Sequence, residues 1–339
     1  MTMKNDTSLM IKDFLEDRSH VTMINYPKGS GKTSNIKMLA NFFDITKDSK
    51  EIFKDSKIMD TPYINEMNQY PTVFLSFTNT IGNKEEVIGC IKTQIKKEYE
   101  HYSFIFVELD EFDIHNYFRI INGFENKSNT LYEIDDSLVF LMRSLEKYYN
   151  KNVMVFIDDY DIPFEEARVG NFYDEVGNPL YIMFHAAFET SNALKYGLLM
   201  GTQNVLISDS IGGGLNNLMI HNVEYNKYSF YFKQSHQEMI NENIIIMIKE
   251  AKDARFIGRL INKFLEDGSI ETPIDLFKSY YEVKESYCFW GMLVNEGILN
   301  IVDSRPSTVF SYQTIYRLEF SNDKLKEQFI KAVNDKIKS

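Results

Sequence analysis

The sequence predicts an α/β protein in which a parallel five-stranded sheet is flanked by helices and followed by a C-terminal helical or winged-helix domain. Three observations support this prediction. Segments of β type alternate with amphipathic helical patterns, a glycine-rich loop joins the first strand to a helix, and the pattern changes near residue 234. Alternating strands and helices are typical of parallel sheets that are covered on both faces.

Five segments rich in β-branched and apolar residues predict the strands of this sheet. They lie at 21–24, 72–77, 153–157, 196–200 and 219–223. The spacing of apolar residues between them predicts helices, one of which begins directly after the glycine-rich loop. Chemical motifs follow the strands at 21–24 and 153–157, and the strand at 72–77 lies between these two in sequence. We therefore expect an additional strand between the two motif strands in the sheet.

The C-terminal third has a different pattern. From about residue 234 it shows consecutive helices, a β-like pair at 298–302 and 316–320, and an amphipathic end. We therefore divide the chain into a core at 1–233 and a helical or winged-helix domain at 234–339.

The composition restricts the function classes. The chain has 339 residues, of which 44% are hydrophobic, and a formal net charge of −12. This charge argues against a dedicated nucleic-acid binder, because such proteins carry a broad positive surface. The two cysteines, Cys90 and Cys288, suggest neither a disulfide framework nor a metal site. Neither a secretory signal nor a run of ~20 apolar residues is evident, so we expect a cytoplasmic protein without membrane contact.

The glycine-rich loop has the features of a phosphate-binding loop. Glycines let backbone N–H groups turn toward an anion, and the N-terminus of the following helix adds a positive dipole. In the usual pattern G-x-x-x-x-G-K-[ST] the first glycine would stand at Tyr26, so a chance Gly/Ser turn before Lys-Thr is the alternative. We predict that Lys32 reaches the β- and γ-phosphates of ATP and that the Thr33 hydroxyl ligates Mg²⁺. The full set of predicted ATP-binding residues is Lys28, Gly29, Ser30, Gly31, Lys32, Thr33 and Ser34.

A second motif, Asp158-Asp159, follows the apolar strand at 153–157. A carboxylate at the end of such a strand can hold Mg²⁺, and a second acid can orient the attacking water. We therefore predict Asp158 as a magnesium residue and Asp159, together with Lys32, as catalytic residues; an ordinary acidic turn is the alternative. After the next strand, residues 202–204 are polar candidates for sensing the γ-phosphate, although polar residues after a strand are usually a plain loop.

Motifs along nearly the whole chain resemble the AAA-ATPase-like family, whose P-loop proteins are often fused to a PD-(D/E)XK nuclease-like domain. The family also has a proline early in the phosphate loop, as Pro27 is here. The resemblance implies a P-loop NTPase core similar to AAA+ and STAND proteins, with ATP and Mg²⁺ as ligands. The segments that carry it are Asp6–Leu15, Pro27–Asn35, Met38-Leu39, Ile157–Pro163, Asn171–Glu175, Asp209–Ile211, Gly214–Asn217, Tyr228–Phe232, Phe289–Leu293, Glu296–Leu299 and Tyr316–Asn322.

Departures from the family pattern bear on hydrolysis. Asp159 stands where the family usually has glutamate, although the related STAND ATPases also use Asp-Asp. No arginine occurs between Arg168 and Arg255, so the cation that neutralises charge on the transferring phosphoryl group is missing from its expected position. Segments that the family has after Phe232 are also missing. We expect the chain to lack the nuclease domain, since its E-x-K spacings are better explained as charged helix faces.

Two functions are compatible with these motifs. The first is a Mg-ATP-binding ATPase that acts as a nucleotide-dependent switch, in which ATP holds the core and the C-terminal domain in one arrangement and hydrolysis releases it. The second is a degenerate ATP-binding module that binds an unidentified protein partner without turnover. A small-molecule kinase is a third alternative, for which the sequence shows no acceptor-binding motif. The oligomeric state is left open.

Overall fold

The computed structural model describes residues 6–127, 130–206, 218–221, 228–232, 239–276, 278, 280–281, 283–308 and 314–335. The chain folds into two compact units, each assembled from more than one stretch of sequence. Unit 1 comprises Met1–Ile24, Lys32–Gly201 and Ile211–Tyr231. Unit 2 comprises Asn25–Gly31, Thr202–Ser210 and Phe232–Ser339.

Unit 1 contains a parallel sheet and the helices that flank it. The strands of this sheet are β1 (Val21–Asn25), β2 (Thr72–Ser76), β3 (Val153–Asp158), β4 (Leu194–Gly201) and β5 (Leu218–His221). The helices are α1 (Leu9–Asp17), α2 (Lys32–Phe43), α3 (Lys50–Phe53), α4 (Lys84–His101), α5 (Glu111–Glu125), α6 (Ser137–Tyr149), α7 (Ile162–Val169) and α8 (Gly177–His185).

The order of strands in this sheet is β2-β3-β4-β1-β5, and β3 pairs in parallel with both β2 and β4, as β1 does with β5. The additional strand expected between the two motif strands, β1 and β3, is therefore β4. In register, Ser76 of β2 and Met200 of β4 flank Asp158 of β3. The carboxyl ends of these strands thus meet at one edge of the sheet, and the predicted α/β fold with a parallel sheet flanked by helices is confirmed.

Aromatic packing fixes α1 and α2 on the sheet. The ring of Phe156 in β3 lies 5.9 Å from that of Phe14 in α1 and stacks 6.0 Å from that of Phe43 in α2. All three side chains are buried, and burying each one stabilises the fold by about 1.5–3 kcal/mol. Because Ile36 and Leu39 of α2 are buried as well, the helix is held along its length and not at Phe43 alone.

Unit 2 contains a second sheet, which is antiparallel and has the strand order β6-β8-β7. Its core is aromatic: the ring of Phe264 lies 5.4 Å from that of the fully buried Trp290 and 4.6 Å from that of Phe320. The elements are α9 (Glu242–Asp253), α10 (Arg255–Asp267), β6 (Ser269–Thr272), α11 (Ser286–Asn295), β7 (Leu299–Pro306), β8 (Thr314–Phe320) and α12 (Asp323–Asn334).

Helix α5 and strand β6 are two elements that were not predicted from the sequence. Helix α8 ends at His185 and is followed by a π-helical segment, Ala186–Thr190. Exposed Phe112 and Phe118 interrupt the apolar stripe by which α5 would be recognised. The segments 209–211 and 214–217 that contribute to the family resemblance, and residues 222–223 of the fifth predicted strand, lie outside the described residues.

Candidate nucleotide-binding site

Asp158 ends strand β3 with its side chain fully buried. Its Oδ2 atom lies 3.4 Å from the hydroxyl of Ser76, the last residue of β2, and 3.4 Å from that of Thr78, two residues beyond the strand. Among the residues that the structure describes, Oδ1 is buried without a hydrogen-bond partner. Buried polar atoms are nearly always hydrogen-bonded, so Oδ1 is an acceptor suited to a cation, a cation-bound water or another donor.

The pKa of Asp158 reflects the charged and polar groups around it. Burial, followed by the charge of Asp159, raises the pKa of Asp158 to about 6. The Thr33 hydroxyl and then the charges of Lys32 and Lys37 act in the opposite direction and lower this pKa. The fold therefore brings together four of the predicted site residues, although they come from two segments more than a hundred positions apart in sequence.

Lys32 and Thr33 open helix α2. Lys32 is almost completely buried, Thr33 is half-buried and Ser34 is exposed. Backbone N–H groups in the first turn of a helix have no partner within the helix and carry the positive end of its dipole. A buried ammonium group at such a terminus makes this part of unit 1 suited to binding an anion.

The chain turns sharply after β3, and this turn positions Asp159. The φ angle of Asp159 is 51°, in the left-handed region, which aspartate tolerates better than most residues. Beyond it, the N–H of Tyr160 donates to the carbonyl of Met200, 3.2 Å away, and α7 begins at Ile162. The half-buried Asp159 side chain therefore lies just past the carboxyl end of the sheet.

The loop before α2 belongs to unit 2 and has the backbone conformation that its glycines allow. The φ angles of Gly29 and Gly31 are 79° and 98°, a region that residues with a Cβ atom rarely adopt. Ser30 between them is buried, and its Oγ has no hydrogen-bond partner among the described residues. Lys28 is half-buried, and its Nζ donates to Oε2 of Glu296 at 2.9 Å.

Tyr26 occupies the position where the usual phosphate-loop pattern has its first glycine. Its side chain is buried and stacks on the ring of Phe232, with centroids 4.1 Å apart and an interplanar angle of 21°. Tyr26 is thus a packing residue of unit 2, and the positive φ angles that the loop needs occur at Gly29 and Gly31 instead.

One protein family matches the chain over the elements that carry these residues. The family model described as a predicted AAA-ATPase covers residues 5–211, which is more than half of the 339 residues. The chain belongs to the predicted AAA-ATPase family. No curated protein matches it significantly. The resemblance noted in the sequence is therefore confirmed, and family membership indicates nucleotide binding and ATPase activity.

In this AAA-ATPase family member, the polar residues after β4 are buried within unit 2. Thr202, Gln203 and Asn204 are each at most 3% exposed. Gln203 Nε2 lies 3.5 Å from Glu296 Oε1, and Asn204 accepts a hydrogen bond from the N–H of Leu206. The segment is irregular in the structure, as a plain loop would be, and its contact with the γ-phosphate stays a prediction.

Sequence reasoning missed three residues that these contacts involve. Ser76 ends β2 and Thr78 follows two residues later, and the rule that carboxyl ends of parallel strands meet at one edge could have identified them. Glu296 is harder to recognise as a contact residue. It lies in a segment that carries the family resemblance, but an acidic residue within an apolar run also fits a solvent-exposed helix end.

Two further observations concern the described part of the chain. None of its helices has both the length and the apolar character needed to cross a membrane. It also holds no group of three or more His, Cys, Asp or Glu side chains arranged to bind a metal by themselves. Magnesium in nucleotide sites commonly takes one or two protein ligands, with phosphates and waters completing its shell, which is the ligand number that Thr33 and Asp158 would offer.

Proposed function

We propose that this AAA-ATPase family member is a Mg-ATP-binding P-loop ATPase that acts as a nucleotide-dependent switch. The observation that carries the proposal is the buried Asp158 carboxylate beside Thr33 and Lys32, which has a raised pKa and an Oδ1 atom without a partner in the described part of the chain. A buried charge without sufficient compensation destabilises the ligand-free protein, and such groups concentrate at functional sites.

Each residue has a role in this proposal. The loop from Lys28 to Ser34 binds the phosphates, with Lys32 offsetting their charge and the N-terminus of α2 facing them. Thr33 and Asp158 hold Mg²⁺, which supplies charge neutralisation at the phosphate oxygens when bound. Asp159 orients the attacking water and accepts its proton.

The domain organisation is part of the same proposal. Residues 1–233 form the ATPase core, although Asn25–Gly31 and Thr202–Ser210 within this range belong to unit 2. Residues 234–339 form a helical or winged-helix domain, and the protein partner is unidentified. The order α9, α10, β6, α11, β7 and β8, with the three strands in one antiparallel sheet, supports a winged-helix topology. ATP and its hydrolysis products then stabilise different states of the protein.

Phosphate release and thermal unfolding test the proposal together. Wild-type protein should release phosphate from MgATP and gain about 2.7 kcal/mol of stability at ATP concentrations a hundred times the Kd. Lys32→Ala should lose phosphate release and most of the gain, because a buried cation is removed from the phosphate loop. Lys50→Ala is the matched control, since Lys50 is an exposed residue of α3. Phosphate release that is equal in wild type and Lys32→Ala would refute the enzymatic role.

A second candidate function is the degenerate ATP-binding module. It is favoured by the stretch without arginine between Arg168 and Arg255 and by the shorter acid at Asp159. In that case ATP stabilises the wild-type protein and this stabilisation is lost in Lys32→Ala, while neither protein releases phosphate above background.

A further inference from the structure

Glu296 is a fully buried carboxylate at the C-terminal end of α11 in unit 2. Buried glutamates are rare unless they are paired. Three polar side chains, each from a different part of the chain, contact it: Lys28, Gln203 and Asn241. Lys28 lies in the phosphate loop, Gln203 lies in the segment after β4, and Asn241 caps the N-terminus of α9.

The Lys28 contact is the strongest of the three. Its Nζ lies 2.9 Å from Glu296 Oε2, and the Lys28 side chain is only 32% exposed. The two amide donors lie farther away, with Asn241 Nδ2 at 3.2 Å from Oε2 and Gln203 Nε2 at 3.5 Å from Oε1. Hydrogen bonds between charged groups are about twice as strong as those between neutral groups, so the ammonium group of Lys28 is held firmly by the carboxylate.

We propose that Glu296 is an autoinhibitory residue that competes with the nucleotide phosphates for Lys28. This inference rests on the proposed function, in which Lys28 belongs to the phosphate-binding loop. In the ligand-free protein the positive charge of Lys28 is offset by a buried carboxylate. A nucleotide phosphate gains the full attraction of Lys28 only by displacing that carboxylate, so Glu296 lowers the affinity for nucleotide.

The contacts of Asn241 connect this competition to the C-terminal helices. Asn241 Oδ1 accepts a hydrogen bond from the N–H of Ile244 at 2.8 Å and caps α9, while its Nδ2 donates to Glu296. When Lys28 leaves, Glu296 keeps Asn241 and Gln203 as donors, which limits the cost of its remaining charge. The Asn241 side chain therefore both caps α9 and binds the carboxylate that the nucleotide must displace from Lys28.

Titration calorimetry of MgATP against wild type and Glu296→Gln measures the competition. The substitution removes the charge and keeps the shape, and the one remaining oxygen still accepts an amide hydrogen bond. We expect the Kd of Glu296→Gln to fall by roughly ten- to a hundred-fold, the equivalent of one hydrogen bond between charged groups. Glu285→Gln is the matched control, because Glu285 is an exposed residue at the other end of α11, and its Kd should equal that of wild type.

A double-mutant cycle with Lys28→Met separates competition from a general effect on folding. Lys28→Met should itself weaken MgATP binding, and in that background Glu296→Gln should no longer improve the Kd. Without nucleotide, Lys28→Met should lower the Tm, and adding Glu296→Gln should restore it, because removing one partner of a buried ion pair destabilises more than removing both.

The outcomes distinguish failure of this inference from failure of the proposed function. If wild type binds MgATP and folded Glu296→Gln binds it equally or more weakly, the autoinhibitory role is overturned and ATP binding stands. If neither protein binds MgATP, both are overturned. Should Glu296→Gln not fold, Glu296→Asp shortens the side chain away from Lys28, and an unchanged Kd in that variant would also overturn the autoinhibitory role.

Discussion

Replacing Asp158 by asparagine should stabilise the ligand-free protein while removing its response to magnesium. The pKa of Asp158 is about 6, against an ordinary value of 3.8, so the carboxylate is less favourable in the folded state than in the unfolded state. At pH 8, where Asp158 is charged, this difference costs the fold about 3 kcal/mol. Asparagine has nearly the same shape and removes the charge, so Asp158→Asn should raise the unfolding free energy by up to that amount.

The pH dependence follows from the direction of the shift. Folding raises the pKa of Asp158, so the contribution of this group to stability is most favourable below pH 3.8. This contribution is lost as the pH rises from 3.8 through about 6. Asp158→Asn lacks this loss. The difference in unfolding free energy between variant and wild type should therefore be large at pH 8 and small at pH 4.

Urea unfolding in EDTA at pH 4, 6 and 8 measures this difference, with Asp55→Asn as control because Asp55 is exposed. At pH 8, thermal unfolding with ATP in the presence and absence of Mg²⁺ measures the second half of the prediction. Magnesium should add to the stabilisation by ATP in wild type and not in Asp158→Asn. A variant that is less stable than wild type at pH 8 in EDTA, or one that keeps the full magnesium effect, would refute the reasoning.

Two further predictions concern backbone conformation and a second raised pKa. A Cβ atom added at Gly31 or at Gly89 would meet no atom within 4 Å. Gly31→Ala should nevertheless destabilise the protein by about 1 kcal/mol, because Gly31 has a positive φ angle. Gly89→Ala in α4 should stabilise it by about 1 kcal/mol, because alanine favours the helix more than glycine does. Urea unfolding of both variants tests this, and equal signs would contradict it. Burial, with a smaller effect from the charge of Asp44, raises the pKa of Glu98 to about 8 from 4.5, although the N–H of Phe74 donates to it. Wild type should therefore lose stability as the pH rises from 4.5 through 8, and the unfolding free energy of Glu98→Gln relative to wild type should increase over the same pH range. A difference in unfolding free energy that does not change with pH would count against this.

Much of the core could be predicted because local pattern and tertiary role coincide there. Strand β3 is buried at every position, so its continuous apolar run predicts a central strand and the carboxylates after it stand out. The same holds for α2, whose buried face recurs at helical spacing. Helix α5 could not be predicted this way, because aromatic residues such as Phe112 and Phe118 lie exposed on it.

The residues of the candidate site also differ in how well the sequence predicts them. Lys32, Thr33 and Asp158 belong to short local motifs, which residue type and spacing are enough to recognise. The Lys28–Glu296 ion pair joins residues 268 positions apart, and neither residue alone carries a sequence signal for the other. Contacts of this kind depend on the packing of whole units, which periodicity and motif spacing do not encode.

Asp158 and Glu296 are equally buried, yet their surroundings give their charges opposite consequences for nucleotide binding. Asp158 has one oxygen without a partner among the described residues, so a ligand that supplies positive charge relieves a cost already present in the free protein. Glu296 has an ammonium group and two amides as partners, so a ligand that takes the ammonium group imposes a cost. Removing the first charge should therefore strengthen the ligand-free fold and weaken magnesium-dependent binding. Removing the second should tighten binding instead, and the two variants together test whether buried charge sets the affinity of this family member for ATP.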